Sequence, residues 1–239
     1  MNHQNSAIFL IIIKWPLALV CAAFLPAAGL YLIQQLHAWV GGTLYLWPVL
    51  LGIVSYMVIW HLLIRRTEIS WFSTLEHEIT HCLFAWLTFN RVVEIRATLR
   101  SGGHIRYFGT TNWLIQTAPY FFPTVTVVLL IALAIVDSQW NTLVHALVGA
   151  SIAYHLISTW TETHHLQTDL HEAGFLFSLL FLPTANLLCY TFILAHMRIE
   201  SPSTLQVFTD LMASPLSPIW VFWSLMTGQS GGSPTLGTQ

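Results

Sequence analysis

The chain has 239 residues, 55% of them hydrophobic and only 8% charged, with a formal net charge of −2 and a mean hydropathy of +0.66. A soluble domain carries about 25% charged residues, so there are too few here to cover a globule. Lipid must solvate much of the surface, and nothing in the near-neutral balance suggests nucleic acid as a partner.

Three cysteines, Cys21, Cys82 and Cys189, lie in apolar stretches without C-x-x-C spacing. They build no disulfide framework and read as small buried hydrophobes. Twelve histidines among so few charges are unusual. Several fall inside apolar segments, where an ionisable residue points to function.

A polar lead precedes an apolar run over residues 8–33, interrupted by Lys14. No basic stretch precedes the run and it is long, so it predicts a membrane anchor rather than a signal peptide, with Lys14 snorkelling to the interface. Residues 34–42 read as a loop. A second span follows over 43–64 and is closed by Arg65 and Arg66.

The third span, residues 69–90, carries Glu76-His77-Glu78-Ile79-Thr80-His81, in which His77 to His81 matches H-E-x-x-H. On a helix, positions i and i+4 share a face, so His77 and His81 can direct two imidazoles at one metal ion, with Glu78 beside them. Ser73, Thr74 and Thr80 lie on the same face, which must look into the bundle rather than into lipid. Glu76 and Glu78 would be costly in a membrane without a metal, water or polar partners.

From Val92 to Arg100 the pattern alternates, with Val93, Ile95, Ala97 and Leu99 on one side and Glu94, Arg96, Thr98 and Arg100 on the other. Period two predicts a strand. A turn at Ser101-Gly102-Gly103 and a second strand over His104–Phe108 complete a β-hairpin, residues Val92 to Phe108.

A fourth span covers 113–136, with Pro119 and Pro123 in its first part, and a fifth covers 140–160, with His145 and His155 inside. A polar stretch, 161–172, then leads into a sixth span over 173–196 with a kink expected at Pro183. In the tail, the patch 219–226 is too short to span and is expected in the interface. Residues 228–239 read as disordered.

The fold class is therefore an all-α polytopic membrane protein of about six transmembrane helices, with one β-hairpin after the metal-site helix. Its organisation is expected as residues 1–68 (two N-terminal spans), 69–196 (core) and 197–239 (tail). Four arginines between Arg91 and Arg106, against Arg65 and Arg66 on the opposite side, put the hairpin side in the cytoplasm.

Catalytic zinc takes three protein ligands and keeps one open position. Asp169 lies beyond the fifth span, on the side reached by the end of the metal helix, and is the leading candidate for the third ligand. His164, His165 and Glu162 are its rivals, and an N-cap of the sixth helix is the structural alternative for Asp169.

A transmembrane HEITH helix, a hairpin after it and an Asp before a later apolar helix resemble the site-2 protease family of intramembrane zinc metalloproteases. The resemblance spans residues 69–195. Many members carry an Asn-Pro-rich run ending in Asp-Gly; here Asp169 is followed by Leu-His-Glu-Ala, and Gly174 comes five residues on.

The resemblance implies zinc held by His77, His81 and Asp169, with Glu78 as general base on zinc-bound water. It also implies hydrolysis of a peptide bond in or near a transmembrane segment of a membrane protein or peptide in the lipid bilayer. A substrate helix must unwind before it is cut, and the hairpin offers an edge onto which the unwound segment could add as a strand. Two other readings compete. One is a haem-binding membrane electron carrier using His61, His77, His81, His145 or His155. The other is a non-catalytic member of the protease fold.

Overall fold

The computed structural model describes residues 3–42, 45–64, 71–98, 102–164, 167–197, 204–214 and 217–227. Arg65 and Arg66, the hairpin turn around Ser101, His165 and the terminal segment 228–239 lie outside the described residues.

Helix α1 runs from His3 to Gly42 and α2 from Leu46 to Leu62. Helix α3, Trp71–Leu87, leads into strands β1, Arg91–Thr98, and β2, Gly102–Phe108. Then follow α4, Trp113–Thr117; α5, Thr124–Ile135; α6, Asn141–Glu162; α7, Thr168–Ala173; α8, Phe175–His196; α9, Thr204–Ala213; and α10, Pro218–Thr227.

The chain is mostly helical with a single antiparallel strand pair among the described residues. Of the six expected spans, three helices (α1, α6 and α8) are long and apolar enough to cross a membrane. A fourth is possible if α4 and α5, bent by 75° at the break between them, count as one. Helices α2 and α3 are 17 residues each, about 26 Å at 1.5 Å per residue.

Other expectations are corrected. Residues 34–42 are helix, not loop: no breaker precedes Gly41, and Tyr31, Gln35 and Trp39 recur every four residues on one buried face. The fourth span is broken because Pro119 and Pro123 remove two helical N–H donors in succession. A helical turn, α7, precedes the sixth span. It is separated from α8 by Gly174 at φ +92°, a conformation that favours glycine. The tail contains a helix, α9, that the sequence reading did not foresee.

Contacts group the chain into two units. One comprises residues 1–15 and 45–179. The other comprises 16–44 and 180–239, where α9 packs Val207 and Leu211 against Ala27, Ala28 and Tyr31 of α1 and Ala195 of α8. In that unit Tyr31 Oη donates to Asp210 at 3.2 Å and Thr184 Oγ1 to the Cys21 carbonyl at 2.7 Å.

In the first unit α2 lies directly on α6. A Cβ at Gly52 would stand 1.8 Å from the Ala146 carbonyl oxygen, and one at Gly149 2.1 Å from that of Val49. Two glycines thus let the helix backbones touch, as small residues do between membrane helices. Lys14, the basic residue within α1, carries its Nζ over the Phe177 ring at 5.1 Å.

Helix α3 stops in a Schellman arrangement. Asn90 N–H donates to the Ala85 carbonyl and Phe89 N–H to that of Trp86, with Phe89 left-handed at φ 63°. Asn90 then pins the base of the hairpin: its Oδ1 accepts the Thr110 N–H at 2.8 Å and sits where a side chain on Gly109 would be.

Register runs from Arg91 opposite Phe108 to Thr98 opposite Gly102, with a bulge between Val92 and Glu94. The bulge turns Val92 and Tyr107 onto the Phe84, Ala85, Ile115 and Ala118 cluster and leaves Val93 and Ile95 exposed. Arg96 and Arg106 both pair with Glu94, and these bonds hold its carboxyl below the ordinary range.

Candidate functional site

The HEITH helix turns one face inward, and Glu76, His77, Thr80 and His81 on it each meet a partner. Glu76 is buried, with Tyr154 Oη donating to its Oε2 at 3.3 Å and the Thr80 hydroxyl 3.3 Å from its Oε1. Thr80 itself meets Thr124 of α5 at 2.5 Å. These contacts answer the cost of a carboxyl inside an apolar bundle.

His77 and His81 come together with Asp169 of α7. One ligand atom from each lies within 4.8 Å of the others. Asp169 Oδ2 is 3.3 Å from His77 Nε2 and 3.4 Å from His81 Nε2. Asp169 sits in the first turn of α7 and is not its cap; Gln167 holds the N-cap position.

The far sides of both rings are engaged as well. His77 Nδ1 lies 3.1 Å from Glu162 Oε2, and His81 Nδ1 lies 2.8 Å from the Ile115 carbonyl oxygen. A carbonyl can only accept, so His81 donates from Nδ1; a carboxylate likewise draws the His77 proton to Nδ1. Each Nε2 is then left with a lone pair directed at the same carboxylate oxygen.

Three lone pairs facing one another repel unless a cation stands among them. The two histidine-to-Asp169 separations match the chemistry of zinc: bonds of about 2.0–2.1 Å at tetrahedral angles give ligand-to-ligand edges of about 3.3 Å. Nitrogen, nitrogen and carboxylate oxygen are a zinc donor set, and the His–carboxylate and His–carbonyl bonds behind it are the usual supports of such a set. The residues present fit the metal.

The Ile115 carbonyl is available for a local reason. Its helical partner would be the N–H of residue 119, which is proline and has none. Asn112 starts α4 by accepting the N–H groups of Leu114 and Ile115, both at 3.1 Å, and so fixes the orientation of that carbonyl. Directly after Pro119, the fully buried Tyr120 donates its hydroxyl to Asp169 Oδ2 at 3.2 Å and sets its ring edge-on to His77.

Sequence reading missed Tyr120, Ile115 and Gln116. Pro119 marks the freed carbonyl, but nothing in the sequence says which side chain uses it. Of the rivals to Asp169, Glu162 stands behind His77 rather than beside Asp169, and His164 lies exposed beyond the end of α6. The buried histidines of α6 are otherwise placed: His145 donates from Nδ1 to the Asn141 carbonyl and stacks on Tyr45, while His155 Nε2 lies 3.5 Å from Thr159.

The cluster opens into a cavity of about 590 Å³. Glu78, His104, Ile105, Tyr107, Gln116 and Glu172 are among its lining residues. Strand β2 forms one wall, and Gly103 lets Glu78 in: a Cβ there would be 2.6 Å from both Cγ and Oε1 of Glu78. On another wall Gln116 Nε2 donates to Glu172 Oε2 at 2.6 Å.

Fold and site together define a class: a helical chain with apolar helices long enough to cross a membrane and a His77, His81 and Asp169 cluster that could hold a metal ion. The model of the Peptidase M50B-like family matches residues 49–218, and the chain belongs to this family, the site-2 proteases. With its apolar helices, this makes it an integral membrane protein of a metalloprotease family. No curated protein and no solved structure matches the chain significantly.

Proposed function

We propose that the chain is an intramembrane zinc metalloprotease that hydrolyses a peptide bond in or near a transmembrane segment of a membrane protein. The observation that carries this reading is the convergence of His77 Nε2, His81 Nε2 and Asp169 Oδ2 on one point, with both Nδ1 atoms engaged behind them.

His77, His81 and Asp169 would hold the zinc. When bound, the ion supplies Lewis acidity, activating water and polarising a carbonyl. The rest falls to the chain. Glu78, one residue from His77 and lining the cavity, takes the proton from the attacking water and passes it to the leaving amine. Tyr120 steadies Asp169 through its hydroxyl. The cavity volume falls within the usual range for a ligand site, about 300–1,000 Å³, which suits a few residues of unwound substrate.

The direct test is metal analysis of the purified chain beside cleavage of a membrane-tethered reporter. Wild type is expected to hold zinc and cleave. Asp169→Asn, which gives up the carboxylate charge, should lose both. A wild-type protein that neither retains nor takes up zinc would sink the reading.

Because β2 lines the cavity and, among the described residues, β1 does not, the substrate strand is proposed to add along β2. N–H groups alternate in direction along a strand, so of two successive positions one points away from β1. Ile105→Pro and Arg106→Pro between them remove that outward donor. One of the two should cut cleavage severely while zinc content stays at the wild-type level. Unchanged cleavage in both variants would remove strand addition from the proposal.

A further inference from the structure

Glu162 ends α6, and its two carboxylate oxygens divide their work. Oε2 faces His77 Nδ1 at 3.1 Å. Oε1 accepts from Ser158 Oγ at 2.9 Å and from Ser73 Oγ. The two hydroxyls also meet each other at 3.1 Å. Ser73 lies one turn before His77 on α3, and Ser158 one turn before Glu162 on α6. The carboxylate is thus locked from both helices and has one oxygen left, which is spent on the ring.

Such a bond does three things. It draws the His77 proton onto Nδ1, so that Nε2 presents a lone pair. It fixes the ring plane, and its negative charge makes Nε2 a stronger donor. His81 has no such carboxylate; its Nδ1 bonds a neutral backbone carbonyl. The two histidines are therefore supported unequally, one by a charge and one by a dipole.

We infer that Glu162 is a positioning residue for the metal centre: held by Ser73 and Ser158, it fixes the tautomer and plane of His77 and so sets the affinity of the His77–His81–Asp169 site for zinc. The inference rests on the metalloprotease reading. It also assigns to α6 a part in the centre, although α6 supplies none of the three converging ligand atoms.

The test measures zinc affinity by chelator competition on the full chain in detergent, for wild type, Glu162→Gln and Glu162→Ala. The absorption spectrum of each after loading with cobalt(II) is recorded alongside. Loss of a supporting carboxylate typically costs about 10–100-fold in metal affinity. Glu162→Ala is expected to fall in that range, and Glu162→Gln, which keeps an oxygen acceptor without the charge, between it and wild type. The cobalt bands of both variants should shift, because the ligand field senses the orientation of the imidazole.

An affinity within about twofold of wild type together with an unshifted cobalt spectrum overturns the inference. Should Glu162→Ala not fold, the near-isosteric Glu162→Gln decides by the same two readings. Wild-type protein without zinc affinity overturns the metalloprotease reading and this inference with it. A wild type that binds zinc beside variants that bind it equally well removes only the role of Glu162.

Discussion

Glu78→Gln is expected to abolish proteolysis while leaving the metal in place. The substitution keeps the shape of the side chain in the space that Gly103 leaves beside it, and it touches none of the three converging ligand atoms. What it removes is the capacity to take up and return a proton. General acid–base catalysis contributes about 10²–10⁴-fold, equivalent to about 3–5 kcal/mol of barrier, and the loss should fall in that range. The pair of measurements is cleavage of a membrane-tethered reporter and zinc content of the same preparation. Retained cleavage would show that Glu78 is not the general base.

A second large effect is expected far from the ligands. Gly149 and Gly52 let α6 and α2 meet backbone to backbone, and the atoms opposing an added Cβ are main-chain oxygens at 2.1 and 1.8 Å. A main-chain oxygen cannot rotate aside as a side chain can. Even Gly149→Ala must push the helices apart by roughly 1 Å to restore ordinary contact, and overpacking of this kind costs about 1–3 kcal/mol or more. Gly149→Leu should abolish the folded state. Gly29→Ala is the control: its Cβ would meet Leu187 at 3.9 Å, an ordinary contact. Removing a mid-helix glycine there should be neutral or stabilising by about 0.5–1 kcal/mol. Thermal inactivation in detergent separates the cases, and equal midpoints for Gly149→Ala and Gly29→Ala would refute the account. Because α6 also carries Ser158 and Glu162, partial separation of α2 and α6 should lower zinc retention before the protein unfolds.

Some of this was legible in the chain itself. H-E-x-x-H spacing sets two imidazoles on one helical face whatever the fold around them, because the helix repeat is local geometry. Alternation from Val92 onward specifies a strand for the same reason, and the hairpin forms there. Spacing of Ser151, His155, Ser158 and Glu162 by four, three and four residues already marks a polar stripe on α6. Of that stripe only Glu162, as a rival third ligand, and His155, as a candidate haem ligand, entered the expectations.

What local pattern does not carry is which atom of a polar residue meets which partner. Glu162 and Asp169 are both carboxylates near the end of α6, and both were candidates for the same role. Only packing of α7 against α4, and the side-chain bonds between α6 and α3, turn Asp169 to the Nε2 side of His77 and Glu162 to its Nδ1 side. The break in the fourth span was written in Pro119 and Pro123, but its consequence was not. The carbonyl that Pro119 leaves unpaired becomes the support of His81, a residue 34 positions earlier in the chain.

HEITH, two imidazoles and a carboxyl on one turn of helix, is thus a fragment that the sequence alone determines. The third converging atom (the Asp169 oxygen), the tyrosine that steadies it and the two acceptors behind the imidazoles come from α7, the turn after α4, α6 and α4. Their meeting is a matter of long-range packing, because a buried polar atom in an apolar bundle must find its partner wherever the fold brings one.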